Sequence, residues 1–245
     1  MANPSAIHDA LQRIKRFYKV VAVSETDGGF GVTLDGKAVR TPGALPLTVP
    51  TRAAAQMIAD EWAAQKDHIV FPDMAATRHA FTAIDRVSEK RLEVAQEAAR
   101  YAGSDLLCYF AENPTALVER QEREWGALLD WAEKDLGLAF IRTQGINPTA
   151  QPPQTILRVE AMALDLDDFR LAAVAFGGAL FGSTILALAV ERGRLTGEEA
   201  YELSRLDEAF QQEQWGVDAE AQARTERQRG EAAVLDRWFK ALGGG

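Results

Sequence analysis

The chain is poor in the residues that chemistry most often uses. It has one cysteine, Cys108, in the apolar run LLCYF, and three histidines, His8, His68 and His79, far apart in sequence. One cysteine excludes an internal disulfide and any C-x-x-C site, and a thiol in such a run behaves as a small apolar side chain rather than a nucleophile. Scattered histidines without H-E-x-x-H spacing offer no zinc site. Basic charge is scarce too: 27 Lys and Arg stand against 36 Asp and Glu, for a net charge of −9. Such a surface repels phosphate backbones, so no nucleic acid is expected as a partner. The one basic cluster, Arg13, Lys15, Arg16 and Lys19, reads as a solvated face. The N-terminal MANPSAIHDALQRIKR has no apolar run of the secretory kind, so no signal peptide is expected.

Other motifs fall short by one chemical component. GVTLDGKA (31–38) approaches the phosphate-loop pattern, but Ala38 replaces the hydroxyl that would hold magnesium. Its context is a hairpin rather than a strand entering a helix, so the helix N-terminus that binds phosphate is missing. DLDD (165–168) lacks the glycine and the terminal glutamate of a calcium loop and reads as a helix start. There is no G-x-S-x-G elbow. No cofactor, metal or catalytic residue is expected. Residues 171–190 carry no charge over a membrane-spanning length, but they are rich in alanine and glycine. Gly177-Gly178 is a break signal and Ser183 a candidate N-cap, so two short buried helices are expected, with no stable membrane insertion.

Proline is also absent from 154 to 245, which leaves that part free to be helical. The N-terminal part differs. FYKVVAVS and GFGVTL are strand-like, TDGG separates them, and the following Asp35-Gly36 is a hairpin signal leading into KAVRT. Thr51 is positioned to cap a helix on which Ala54, Ile58 and Trp62 share one face. From about residue 75 the pattern is helical. PTALVERQEREWGALLDWAEKDLG places Pro114 at a helix start and Gly137 at its end, with Trp125, Leu128, Leu129, Ala132 and Leu136 as an apolar stripe. The last helix carries Val234, Leu235, Trp238, Phe239 and Leu242 at core spacing. The expected fold is α+β: a small N-terminal α+β domain with β-hairpins (1–75), then a larger all-helical domain (76–245).

The segment LDEAFQQEQWGVDAEAQ (206–222) holds five carboxylates, four glutamines and a tryptophan, with no basic residue. Treated as one helix over 196–216, it puts Leu203, Leu206, Phe210 and Val217 on a core stripe. Ser204, Glu208, Gln211 and Trp215 form a second stripe about 120° away, with Asp207 between the two. Trp215 then either packs under a neighbouring helix or anchors a partner, as tryptophan in a polar rim often does. The alternative is a hydrolase-like enzyme with a carboxylate site near Asp207 and Glu208, although the segment supplies no third polar group.

RFYKVVAV, LDGKAVRTP, IADEWAAQ, TAIDR, SDLLCYF, LLDWAEKDLG and LDEAFQQEQWG occur in an order that resembles one family. It is that of the assembly chaperones attending the alpha subunit of the F-type ATP synthase head, and the resemblance runs from about residue 16 to 240. It implies a two-domain fold, no enzymatic activity, and binding of the unassembled alpha subunit to shield surface that alpha later buries against beta. Functional weight in that family maps onto Asp207, with Glu208 beside it, and onto Trp62. The helix face gives Trp62 a structural role and leaves Asp207, Glu208, Gln211 and Trp215 as the client-binding residues. Mitochondrial members carry a targeting extension, whereas this chain begins near the matching region, which implies a bacterial relative acting in the cytoplasm.

Overall fold

The structure, a computed structural model, describes residues 14–145, 147–215 and 219–243; the side chains of 214, 215 and 219–223 lie outside the description. Strands β2 (Val21–Thr26) and β3 (Gly29–Leu34) pair antiparallel with Val23 opposite Val32, and β3 continues into β4 (Lys37–Ala38). The β3–β4 turn has Asp35 and Gly36 both at positive φ (48° and 80°), the twist-matched hairpin geometry that Asp-Gly favours. The Asp35 carboxylate accepts from the N–H groups of Lys19 and Val20, and these bonds hold it below the usual carboxylate range. Val32 and Leu34 face inward against helix α1 (Arg52–Ala64), which Thr51 caps through the N–H of Ala54. A short pair, β1 (Ile14–Lys15) with β5 (His68–Ile69), flanks it.

The segment DEW explains how the next helix attaches. Glu61 accepts from the N–H groups of Ala76 and Thr77 and from the Thr77 hydroxyl, so it caps helix α2 (Ala75–Thr82) from outside. The helix then passes through a π-turn (Ala83–Val87) into α3 (Ser88–Ala102), which leaves helical geometry at Lys90. Within the π-turn Asp85 accepts from the Thr41 hydroxyl and the Gly43 N–H; a Cβ on Gly43 would lie 2.7 Å from the carboxylate, so a side chain there would displace Asp85 from these bonds. The chain divides into two compact units: described residues to Glu89 with those from Arg237, and Lys90–Asp236. The boundary expected at 75 therefore falls inside the first unit. The Glu61 cap ties α2 to α1 across that boundary.

The second unit is mainly helical. Helix α4 (Thr115–Gln121) leads through a π-turn (Glu122–Gly126) into α5 (Ala127–Leu136), which Gly137 ends in the left-handed region at φ 70°. Pro114 takes the N-cap position of α4 rather than the first helical one. One parallel ladder, β6 (Tyr109–Phe110) with β7 (Thr143–Gln144), makes the unit less than wholly helical. Helices α6 (Pro153–Asp165), α7 (Asp168–Phe181) and α8 (Thr184–Glu191) follow. The uncharged run does form two helices, yet the break is at Gly182 (φ 65°); Gly177 and Gly178 lie inside α7. Gly177 meets Ala187 and Leu235, so it serves close packing instead. Ser183 caps α8 through the Leu186 N–H. The buried Asp105 accepts from the Leu107 and Ile185 N–H groups at the same end, and burial pushes its carboxyl up to about 6. Cys108 is fully buried and its thiol pKa is raised. Among the described residues, no helix is long and apolar enough to cross a membrane.

Candidate functional site

The single helix expected over 196–216 is two: α9 (Gly197–Ser204) and α10 (Leu206–Trp215), separated at Arg205, where φ −114° and ψ 18° leave helical geometry. The Ser204 hydroxyl donates to the Tyr201 carbonyl, a local bond that competes with helical continuation. The break re-aims both stripes. Ser204 is buried rather than on an outer face, Leu206 is buried as core, and Phe210 is half-buried. Asp207 and Glu208 are half-buried and Gln211 is exposed. These three line one open groove of about 1000 Å³. Val217 and the side chain of Trp215 lie outside the described residues.

The second unit fixes α10 through residues 120–125. Gln121 is 0% exposed and both ends of its amide are used. Its Nε2 donates to Asp207 Oδ1 at 2.7 Å, and its Oε1 accepts from the Ala111 N–H at 2.7 Å. The Arg120 guanidinium meets Glu213 at 3.0 Å, and the Trp125 indole N–H donates to the Leu203 carbonyl at 2.9 Å. The Leu203 carbonyl lies at the end of α9, where the Arg205 N–H also reaches it, so the indole adds a second donor at this helix terminus. Trp125 is itself buried edge-on against Phe110. Sequence reading took Trp125 for core and passed over Gln121. The signal was legible: Leu117, Gln121 and Trp125 recur every fourth position, placing an amide on a core face.

The two carboxylates differ electrically. Glu208 is paired with Arg205 at 3.0 Å, one turn away. Asp207 has a neutral amide as its donor and no cation within salt-bridge distance among the described residues. Burial raises its pKa, the Gln121 hydrogen bond offsets part of that, and the Glu208 charge adds to it. Asp207 is therefore not a freely solvated charge, as its place between two stripes suggested; it is oriented, partly desolvated and lacking a counter-charge. Trp62 belongs to the first unit. It is 5% exposed, edge-on to Tyr18 and Phe71, and its carbonyl accepts from the Tyr18 hydroxyl at 2.8 Å.

The groove's floor and walls come from the segments around β6, the end of α7 and the start of α10, and its apolar residues include Leu106, Tyr109, Phe110, Leu117 and Leu180. Among its described lining residues there is no histidine, cysteine or lysine. One member of the carboxylate pair is ion-paired and the other amide-bound, and the Ser204 hydroxyl that shares the groove donates to the Tyr201 carbonyl. Among the described residues no cluster of His, Cys, Asp or Glu could hold a metal. What the arrangement does offer is apolar area beside an oriented negative charge.

Known proteins share this architecture. Residues 15–133 match the family model described as ATP12 chaperone protein. The mitochondrial protein atp12 of Schizosaccharomyces pombe is 25% identical over 220 residues, which cover 82% of this chain and 74% of that one. The crystal structure of Atp12 from Paracoccus denitrificans is 39% identical, with a TM-score of 0.85 over 93% of this chain and 98% of that one. An aspartate-to-lysine variant of the same protein matches equally well, with 97% of its chain covered. A crystal structure from Agrobacterium tumefaciens is 41% identical, with a TM-score of 0.87 over 93% and 86% of the two chains. With such identity over nearly its whole length, the chain belongs to the ATP12 chaperone family.

Proposed function

We propose that this protein is a molecular chaperone for assembly of the F-type ATP synthase head, that it acts in the cytoplasm, and that its client is the unassembled alpha subunit. The chaperone holds alpha through the α10 groove and shields surface that alpha later buries against beta. Asp207, Glu208, Gln211 and Trp215 form part of the client surface, and no catalysis is involved. The observation that carries this reading is the groove itself: in a member of the ATP12 family, an open trough of about 1000 Å³ lines apolar residues up beside an oriented carboxylate. That pairing suits a protein surface better than a small substrate, because buried apolar area supplies affinity while charge sets register and encounter rate.

The test is retention of the client. Purified alpha subunit, denatured and diluted in the absence of beta, is mixed with this protein and followed by light scattering and gel filtration. Suppressed aggregation with a co-eluting complex is the expected result. Aggregation at the rate seen with an inert control protein, and no complex, would remove the assignment.

A further inference from the structure

We infer that the groove receives a client segment in which an arginine or lysine stands among apolar residues, with the cation seated on Asp207. This rests on the function proposed above and names the chemistry of the occupant. The lining carries Glu112, Asp207 and Glu208 against one cation, Arg205, and that cation is committed to Glu208 at 3.0 Å. The described lining is therefore left with negative charge that nothing in it compensates. Asp207 is the focus of that excess. Its orientation is set by Gln121, a buried amide that donates a hydrogen bond but brings no charge. A half-buried carboxylate with a neutral donor gains most from a cation that arrives with the partner, since the partner also removes the remaining water.

The walls say what surrounds that cation. Leu106, Tyr109, Leu117 and Leu180 line the same space as Asp207, so a purely polar basic peptide would leave apolar wall uncovered. At about 1000 Å³ the groove lies at the upper end of the range of ligand pockets, about 300–1,000 Å³, and being open it admits several consecutive side chains. Arginine suits the position better than lysine. Its planar fork can span the second Asp207 oxygen and neighbouring acceptors, and it sheds water more readily.

The two carboxylates should then behave unequally, which a general acidic surface would not produce. The experiment measures retention of unassembled alpha subunit by the full chain at low and high salt. The parent, Asp207→Asn and Glu208→Gln are compared, together with synthetic peptides tiled across alpha and copies with each Arg or Lys replaced by Gln. Asp207→Asn keeps an oxygen for the Gln121 N–H, so a circular-dichroism melt near the parent's is expected. Retention should fall about tenfold or more in Asp207→Asn, with loss of most of its salt dependence, and at most about threefold in Glu208→Gln. At least one apolar, Arg- or Lys-bearing peptide should bind the parent, and its Gln copy should not discriminate between parent and Asp207→Asn. Equal retention by parent and Asp207→Asn, or binding by uncharged peptides alone, overturns the inference and leaves the proposed function standing. Concentration-dependent self-association that Asp207→Asn abolishes would put a second copy in the groove and also overturns it. Failure of the parent to retain alpha at all removes the function and the inference together.

Discussion

Gln121→Met is the most revealing single change to the site, because it alters no groove charge and removes no exposed atom. The parent amide is fully buried and makes two bonds of 2.7 Å, one to the Ala111 N–H and one to Asp207. Methionine fills a similar volume without either partner. The Ala111 N–H loses its acceptor, at about 1–3 kcal/mol for a buried group, and Asp207 loses a charge-assisted donor worth about 1.5–3 kcal/mol. Against this, methionine needs no desolvation of an amide, so a net loss of about 3 kcal/mol is expected. For a chain of this size each kcal/mol lowers the melting temperature by about 2–4 °C, which makes the expected drop about 6–12 °C. The Gln121 bond also holds the Asp207 pKa down, so its loss should move that carboxyl further up, visible in a carbon-13 carboxyl titration. Client retention should weaken as well, because Asp207 is no longer held in one orientation. A double-mutant cycle with Asp207→Asn isolates the pair, and a coupling of about 1 kcal/mol or more is expected. A melt within two degrees or so of the parent, with an unmoved Asp207 titration, would refute the view that Gln121 builds this site.

Trp62→Ala should cost about 3–5 kcal/mol by opening a cavity between Tyr18 and Phe71. Trp62→Phe should cost clearly less, since the indole N–H has no acceptor among the described residues; equal melts for the two variants would contradict this. His79 is fully buried beside Trp238, and burial, with a smaller contribution from Arg78, lowers its pKa from 6.5 to about 3. Between those values the unfolded chain binds a proton that the folded chain refuses, so stability present above pH 6.5 is lost as pH falls towards 3. At pH 5 the loss is about 2 kcal/mol, and the gap between parent and His79→Gln in urea unfolding should narrow by that amount between pH 7.5 and 5. Asp105 acts in the opposite sense, because its carboxyl is raised from 3.8 to about 6 and stability it contributes below pH 4 is lost as pH rises through 6. Glu191→Ala removes one partner of the buried Arg170 pair at 2.8 Å and should cost about 3 kcal/mol in urea unfolding; a loss below about 1 kcal/mol would show the pair to be expendable.

Much of the fold could be read directly from residue patterns. The hairpin at Asp35-Gly36, the cap at Thr51, the buried face of Ala54, Ile58 and Trp62, and the stop at Gly137 each follow from local chemistry that acts within a few residues. What was not legible depends on partners distant in sequence. Gly177 and Gly178 look like a break, but α7 carries them, and a Cβ on Gly177 would lie 3.1 Å from both Ala187 and Leu235, so glycine there lets these elements pack closely. The turn at Arg205 was hidden because every residue from 197 to 215 except Gly197 is an acceptable helix former, and a Ser204 bond to Tyr201 is available to many serines in unbroken helices. The site suffered most from that break. A single helix would have spread Asp207 and Ser204 over faces that the turn re-aims, and only the fold could show that Gln121, eighty-six positions away, holds Asp207 in the groove wall.

The central claim is that the α10 groove is where the alpha subunit is held. A photo-crosslinking residue in place of Gln211, which lines the groove and is exposed, tests it most directly, with a second one in place of the exposed Leu157 as the control. Each variant is mixed with unassembled alpha subunit, irradiated, and the adducts are mapped by mass spectrometry. The account predicts strong adducts from position 211 to the surface of alpha that later meets beta, suppressed by an excess of beta, and few from position 157. Adducts from 157 with none from 211, in a protein that still retains alpha, would contradict it.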